Sequence, residues 1–337
     1  MRTAVIGLGY FSQFHLDAWT TLPGVQVTGV TDLDPTRRDW AMQRYGVRAY
    51  PDTARMLDAA QPDVVDIIAP PSAHADLIAQ CATAGRVIVC QKPFCTSLDE
   101  AEHTTALAEA AGARLVIHEN FRFQPWHRAI KSALPELGDI YQARFALRPG
   151  DGRGPDAYLS RQPRFRSIKR LLIEETAVHL IDLFRWFMGD ITAVYADLRQ
   201  INPVIAGEDA GLMILDHASG ARSTFDGNRH SDHISDSPRR TMGLMEIEGE
   251  GGAITLDGQG QVLLRPFGSQ TPRIIPVTDP VIETSFGGGC AEALCAHVAR
   301  AVQTGTPLEN EARAYLPIIR ATDAAYLSAQ TGRKITL

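Results

Sequence analysis

Short runs rich in β-branched residues recur through the first third of the chain: TAVIGLG, VQVTGVTD, VVDIIAP, RVIVCQ and RLVIHEN, separated by segments with apolar residues at helical spacing. This alternation predicts βαβ units and a parallel sheet over residues 1–120. From Phe121 onward the apolar stretches lengthen and alternate with polar positions, as in IYQARFALR, ITAVYADLRQI, AGLMILD, ARSTFDG and GAITLD, with Gly pairs and Asn or Asp at the breaks. A period of two with such punctuation predicts hairpins of a largely antiparallel sheet. Helical spacing returns over residues 174–188, 290–303 and 309–328. The expected architecture is an α/β domain over residues 1–120 and an α+β domain over residues 121–337.

Composition narrows the function. With 337 residues, 45% hydrophobic and 21% charged, the chain has the balance of a two-domain globular protein. A net charge of -6 argues against a general affinity for nucleic acid or anionic membrane and leaves a small molecule as the expected partner. No apolar stretch reaches the length of a membrane span, and the N-terminus enters a strand-like run without a signal-peptide core, so a cytoplasmic protein is expected. The cysteines at 81, 90, 95, 290 and 295 fit no metal or redox spacing; Cys90 and Cys95 are separated by four residues, not two. They read as reduced, buried small side chains, and no metal is expected.

The sharpest local signal is VIGLGYFSQFH. Gly7 and Gly9 follow an apolar strand, and Ser12 stands where a third Gly or Ala is usual. Gly7 permits a tight turn, Gly9 lets the backbone approach a pyrophosphate, and the helix that follows offers unpaired N–H groups to the anion. Asp32 ends the next strand at the separation expected of a ribose-binding acid. These features make the first domain a Rossmann domain, with Tyr10 and Phe11 of the turn as further cofactor contacts. A carboxylate at Asp32 repels a 2'-phosphate and favours NAD, while Arg37 and Arg38 lie close enough in sequence to leave NADP open. In IIAPPSAHADL, Pro70 and His74 leave another strand at its carboxyl end, where cofactors lie. His74 is placed either at the nicotinamide ribose, at the lysine loop, or as a helix cap.

In this order the motifs resemble the glucose-fructose oxidoreductase / inositol dehydrogenase / MocA family over essentially the full chain. CQKPF matches its Glu-Lys-Pro signature with Gln91 in place of Glu. NFRFQP is similar to its aromatic segment through Phe121, Arg122, Phe123 and Pro125. EETAVHLIDLFRWFMG is similar to its D-x-G-x-H-x-x-D helix, with Glu175 for Asp, Ala177 for Gly, and His179 and Asp182 matching directly. The resemblance implies an NAD-dependent dehydrogenase oxidising a hydroxyl or hemiacetal carbon of a sugar or polyol, with a branched or short aldose such as D-apiose among the substrates. It also implies a homodimer or homotetramer joined through the antiparallel sheet. A retained-NAD glycosidase of the same family and a non-catalytic dinucleotide sensor are the alternatives.

The expected catalytic residues are Lys92, His179 and Glu175, with proton transfer open between Lys92 and His179. Glu175 and His179 are four apart, which a uniform helix puts on one face near Asp182. Lys92 precedes a proline, which restricts it to extended geometry and allows a cis bond, so that the lysine is aimed from a strand end toward the cleft between the domains. Gln91 and Lys92 are also expected to touch the cofactor. The Gly-, Pro- and Arg-rich segment 148–170 reads either as a solvated basic loop or as a cover over the pocket. In the second case Tyr158, Arg161 and Arg166, with Asn120 and Arg122, contact substrate. HSDHISD reads as a solvated loop, and Gly287–Gly289 are not counted as a site.

Overall fold

A computed structural model describes all residues from Met1 to Leu337. The chain divides into two compact units, Met1–Asn120 with Ala291–Leu316, and Phe121–Cys290 with Pro317–Leu337. The expected division after residue 120 therefore differs in one respect: residues 291–316 return to the first unit. Their composition resembles that of the flanking segments, so nothing local marks the return.

In the first unit β1 (Arg2–Ile6), β2 (Gln26–Thr31), β3 (Ala49–Tyr50), β4 (Val64–Ile67), β5 (Val87–Cys90) and β6 (Arg114–Ile117) form one sheet in the order β3-β2-β1-β4-β5-β6. Every pairing is parallel. Helices α1 (Ser12–Thr21), α2 (Pro35–Tyr45), α3 (Thr53–Ala60), α4 (His74–Cys81) and α5 (Leu98–Ala110) make the crossovers. The order reverses between β1 and β4, the switch point where open α/β sheets bind ligands. β4 and β5 are buried at every residue, which explains their unbroken apolar runs. The outer edge of β6 is covered by the returning segment: Ile117 N donates to Asn310 O at 2.8 Å, and Arg114 pairs with Glu311 at 2.9 Å.

The second unit carries α6 (Pro125–Ala133), a nine-stranded sheet and α7 (Val178–Met188). Its strands are β7 (Ile140–Leu147), β8 (Ile191–Arg199), β9 (Ala210–His217), β10 (Arg222–Asn228), β11 (Gly243–Gly249), β12 (Gly252–Leu256), β13 (Val262–Pro266), β14 (Arg273–Ile275) and β15 (Ile335–Thr336). The sheet order is β14-β13-β12-β11-β7-β10-β9-β8-β15. β7 and β10 pair in parallel and the rest antiparallel, so "largely antiparallel" describes the sheet. Helices α8 (Cys290–Thr304) and α9 (Ala312–Thr331) follow the expected spacing, and the division between units falls within α9 at Pro317. The segment expected as one helix from residue 174 begins instead as a π-helix, Leu172–Ala177, before α7.

His127 of α6 is fully buried, and its Nδ1 donates to Phe121 O at 2.8 Å. Burial holds its pKa down to about 4, because a charged imidazole has no water there. The unfolded chain takes up this proton below about pH 6.5 while the fold resists it until about pH 4. Stability present above pH 6.5 is thus lost as pH falls, by on the order of 3 kcal/mol. Urea unfolding midpoints at pH 7.5, 6 and 5 should fall more steeply for the wild type than for a His127→Gln variant, whereas parallel declines would remove His127 as a source of acid sensitivity.

Candidate active site

The turn after β1 has the geometry a dinucleotide needs. Gly7 has φ +91°, and a Cβ there would lie 2.6 Å from Ile68 O, so a side chain is excluded by both conformation and space. Gly9 is open: the nearest atom to its would-be Cβ is Arg37 Nη1 at 3.8 Å. Ser12 is fully buried and its hydroxyl donates to Gly9 O at 2.7 Å, which locks the turn from beneath. Phe11, the residue preceding α1, supplies no capping side chain, and no acid lies in the first turn, so the helix end keeps its attraction for an anion. Tyr10 is exposed beside this turn, and Phe11 packs on Phe14 with ring centroids 5.1 Å apart.

Asp32 is reached by the same turn. Leu8 N donates to its Oδ2 at 2.6 Å and Asp34 N to its Oδ1 at 2.8 Å. Each carboxylate oxygen retains acceptor capacity for a ribose hydroxyl. Arg37 lies 3.8 Å from Asp32 and 3.7 Å from Asp34, half-exposed, while Arg38 donates to Asp32 O at 2.6 Å. The turn, the uncapped helix and the acid fit a dinucleotide by their donors, acceptors and free space.

Two other expected cofactor residues are placed differently. His74 is fully buried, with Nδ1 2.8 Å from Phe94 O and Nε2 2.8 Å from Ala69 O. Of the contacts weighed for it, the structure shows the one to the lysine loop; burial lowers its pKa. Pro70 directly precedes the short 3-10 turn Pro71–Ala73. Gln91, expected to touch the cofactor, is buried and turned inward: its Nε2 lies 2.8 Å from His15 Nε2 and 3.2 Å from His118 Nδ1. Its Oε1 accepts the Lys92 N–H at 3.2 Å. Lys92 follows at the end of β5, half-buried, and its bond to Pro93 is cis.

In the second unit one 3-10 turn, Phe121–Phe123, supports two positions of α7. The ring of His179 stacks on Phe121 with centroids 4.0 Å apart and planes 5° from parallel. Arg122 grips Asp182 with two bonds of 2.5 and 2.6 Å, and Asp182 is fully buried. Arg122, expected to meet substrate, is thereby committed to orienting α7. Glu175 lies in the π-helical turn, where Val178 N donates to Ile173 O five residues back. That wider turn breaks the four-residue spacing on which the shared face with His179 was argued.

The remaining candidates divide. Asn120 is buried, and its Oδ1 has no hydrogen-bond partner, capacity that a ligand group would fill. Tyr158 and Arg161 face inward to Asp151, at 3.2 and 3.1 Å, and buried Arg229 joins them at 3.0 Å. The cover reading is therefore corrected for these two: Tyr158 is packed in a small core with Leu171 and Ile205. Arg166 ends the 3-10 turn Pro163–Arg166, half-buried and paired with no acid. A cleft of 370 Å³ in this unit is lined by Lys169, Arg170, Glu208 and Tyr326 and by no candidate residue.

The residues missed by sequence reasoning are His15, Trp19, Asp66 and His118. Asp66 Oδ2 accepts from both His15 Nδ1 and Trp19 Nε1 at 2.7 Å. An acid inside the apolar run VVDII was the available signal, since a buried carboxylate requires donors. Donor atoms of His15, His118 and Cys295 lie within 4.8 Å of one another. The Gln91 amide already sits on two of the ring nitrogens, which a metal would have to displace.

Fold and glycine turn define a dinucleotide-dependent oxidoreductase, and comparison with known proteins agrees. Residues 1–119 match the family model "Oxidoreductase family, NAD-binding Rossmann fold" and residues 128–255 the "GFO/IDH/MocA C-terminal domain". The chain belongs to the GFO/IDH/MocA oxidoreductase family. It is 32% identical to the D-apiose dehydrogenase of Paraburkholderia graminis over 345 residues, covering 100% of this chain and 89% of the relative. It is likewise 32% identical to the D-apiose dehydrogenase of Rhizobium rhizogenes, over 76% of this chain and 73% of that one. A crystal structure of an oxidoreductase from Agrobacterium radiobacter with NAD+, L-tartaric acid and magnesium superimposes with a TM-score of 0.90 at 27% identity, covering 100% and 98% of the two chains.

Asp32 governs cofactor choice if its carboxylate opposes a 2'-phosphate. The expected result is a higher kcat/KM with NAD than with NADP, and a reduced preference in Asp32→Ser. Equal or better use of NADP by the wild type would hand control of the site to Arg37 and Arg38.

Proposed function

We propose that the protein is an NAD-dependent dehydrogenase of a branched or short aldose of the D-apiose type, oxidising its hemiacetal or hydroxyl carbon. The observation that carries this reading is the full-length relationship to a D-apiose dehydrogenase. The dinucleotide turn of the first unit also supports it. NAD, when bound at the Gly7–Ser12 turn, supplies a hydride acceptor. The chain's residues supply the proton chemistry. Lys92 accepts the hydroxyl proton as the carbon–hydrogen bond breaks, a role that a half-buried amine serves once deprotonated. His179, fixed in plane by Phe121, hydrogen-bonds the reacting oxygen or relays the proton. Asn120 Oδ1 and Arg166 hold substrate hydroxyls.

A homodimer or homotetramer joined through the second unit's sheet is part of the proposal. The outer side of that sheet carries partly exposed Leu212 and Leu244 amid charged residues such as Arg144. No helix of the structure is long and apolar enough to cross a membrane, and the five free cysteines suit a reducing, cytoplasmic setting.

Incubation with NAD and a panel of D-apiose, pentoses, hexoses, inositols and sugar acids tests the substrate. NADH should form in proportion to product, fastest with D-apiose; faster turnover of an inositol would move the substrate class. Lys92→Met should lower kcat by at least about a hundredfold while leaving NAD affinity nearly intact. Near-normal turnover in a correctly folded variant would transfer the proton step to His179.

A further inference from the structure

We propose that Gln91 is a positioning residue for Lys92, and that its neutral amide holds the lysine's backbone through a buried network containing two neutral imidazoles. The orientation of the amide follows from its neighbours. Oε1 accepts the Lys92 N–H at 3.2 Å, so the NH2 group must face the two histidines; the flipped amide would set donor against donor. His15 Nδ1 lies 2.7 Å from the Asp66 carboxylate and therefore carries the proton, which leaves its Nε2 as an acceptor for Gln91 at 2.8 Å. The second amide hydrogen goes to His118 Nδ1 at 3.2 Å, placing the His118 proton on Nε2. Two donors meet two acceptors, and the rings lie 4.0 Å apart.

The charge state follows from the same count. An imidazolium at either ring would turn an acceptor into a donor facing the NH2 group, and His15, His118 and Asp66 are all fully buried. Other titratable groups near the amide are Cys90, the residue before it, buried Glu119, the residue after His118, Cys295 of α8 with Glu292 beside it, and Lys92 itself. Burial pushes both thiols well above their ordinary pKa, so neither supplies a proton to the pair near neutrality. Glutamate at this position has no hydrogen to give. It holds both rings only when one of them takes up a proton: without it His118 can shift its hydrogen to Nδ1 and donate to the carboxylate, but the His15 Nε2 lone pair, fixed by the Nδ1 bond to Asp66, still faces a negative charge. Wild-type Gln91 therefore keeps Lys92 in place independently of pH, whereas Gln91→Glu makes the support conditional on a proton.

This inference rests on the reading of Lys92 as proton acceptor, and two measurements separate the two. With NAD and D-apiose, the ratio of Gln91→Glu kcat to wild-type kcat should fall by about tenfold or more from pH 6 to pH 9. Gln91→Met should lower kcat about tenfold at every pH while the NAD dissociation constant stays within about threefold. A flat ratio for Gln91→Glu would reduce Gln91 to ordinary packing. Nitrogen-15 spectra of histidine-labelled protein need no turnover: at pH 7 the wild type should show His15 and His118 neutral, protonated on Nδ1 and Nε2 respectively, and Gln91→Glu should show one imidazolium. Unchanged imidazole spectra in Gln91→Glu would overturn the network even if Lys92→Met abolished turnover, and the predicted spectra would uphold it even if another group took the proton.

Discussion

A buried carboxylate near the middle of the parallel sheet organises the first unit. Asp66 stands on β4 among Val64, Val65 and Ile67, all without solvent exposure, and such a group is tolerated only when it is hydrogen-bonded. Its donors, His15 and Trp19, are one turn apart on α1, so the bonds fix both the rotation and the height of that helix over β4. α1 begins at the glycine turn, and the far nitrogen of His15 meets Gln91 beside Lys92. The anion-binding turn and the lysine thus share one anchor. Removing Asp66 would leave two buried donors unsatisfied and release both elements.

The second unit uses an ion pair for a similar purpose. A single planar pair is costly to bury unless its geometry is good, and Arg122–Asp182 has both bonds of a bidentate contact. Arg122 also lies 5.7 Å over the Trp186 ring, which gives the guanidinium an apolar and aromatic floor. Because Phe121 is the neighbouring residue, the same turn that holds Asp182 presents a flat ring to His179. A short 3-10 turn therefore sets the azimuth of α7 and the plane of its histidine together.

The parts of this molecule that were legible in the sequence are those governed by local periodicity. Buried parallel strands such as Val87–Cys90 announce themselves as continuous β-branched runs, and Gly7 and Gly9 are dictated by a turn that tolerates no alternative. Two-residue strands such as Ala49–Tyr50 are too short to show a period. The parallel pairing of β7 with β10 and the return of residues 291–316 to the first unit depend on contacts far apart in sequence. The chemistry of Arg122, Tyr158 and Arg161 suits substrate hydroxyls, yet each is claimed by an acid, Asp182 or Asp151, that the sequence gives no means of pairing with it. The π-turn at Leu172–Ala177 carries no signal in LIEETA, which reads as ordinary helix.

Departures from the family motif sort by the structure around them. Ser12, at the third glycine position, closes a hydrogen bond to Gly9 O within the turn, and Gln91 bridges His15, His118 and the Lys92 backbone. Glu175 and Ala177 instead fall together in the π-helical turn, where backbone bonding changes register just before His179. π-bulges are retained in helices mainly where they re-aim functional side chains, since they cost regular hydrogen bonding. A longer acid set on a wider turn presents its carboxylate differently from an aspartate on a uniform helix. The dinucleotide turn closes with a serine at the third glycine position, while the segment leading into α7 joins a longer acid to a wider turn just before His179.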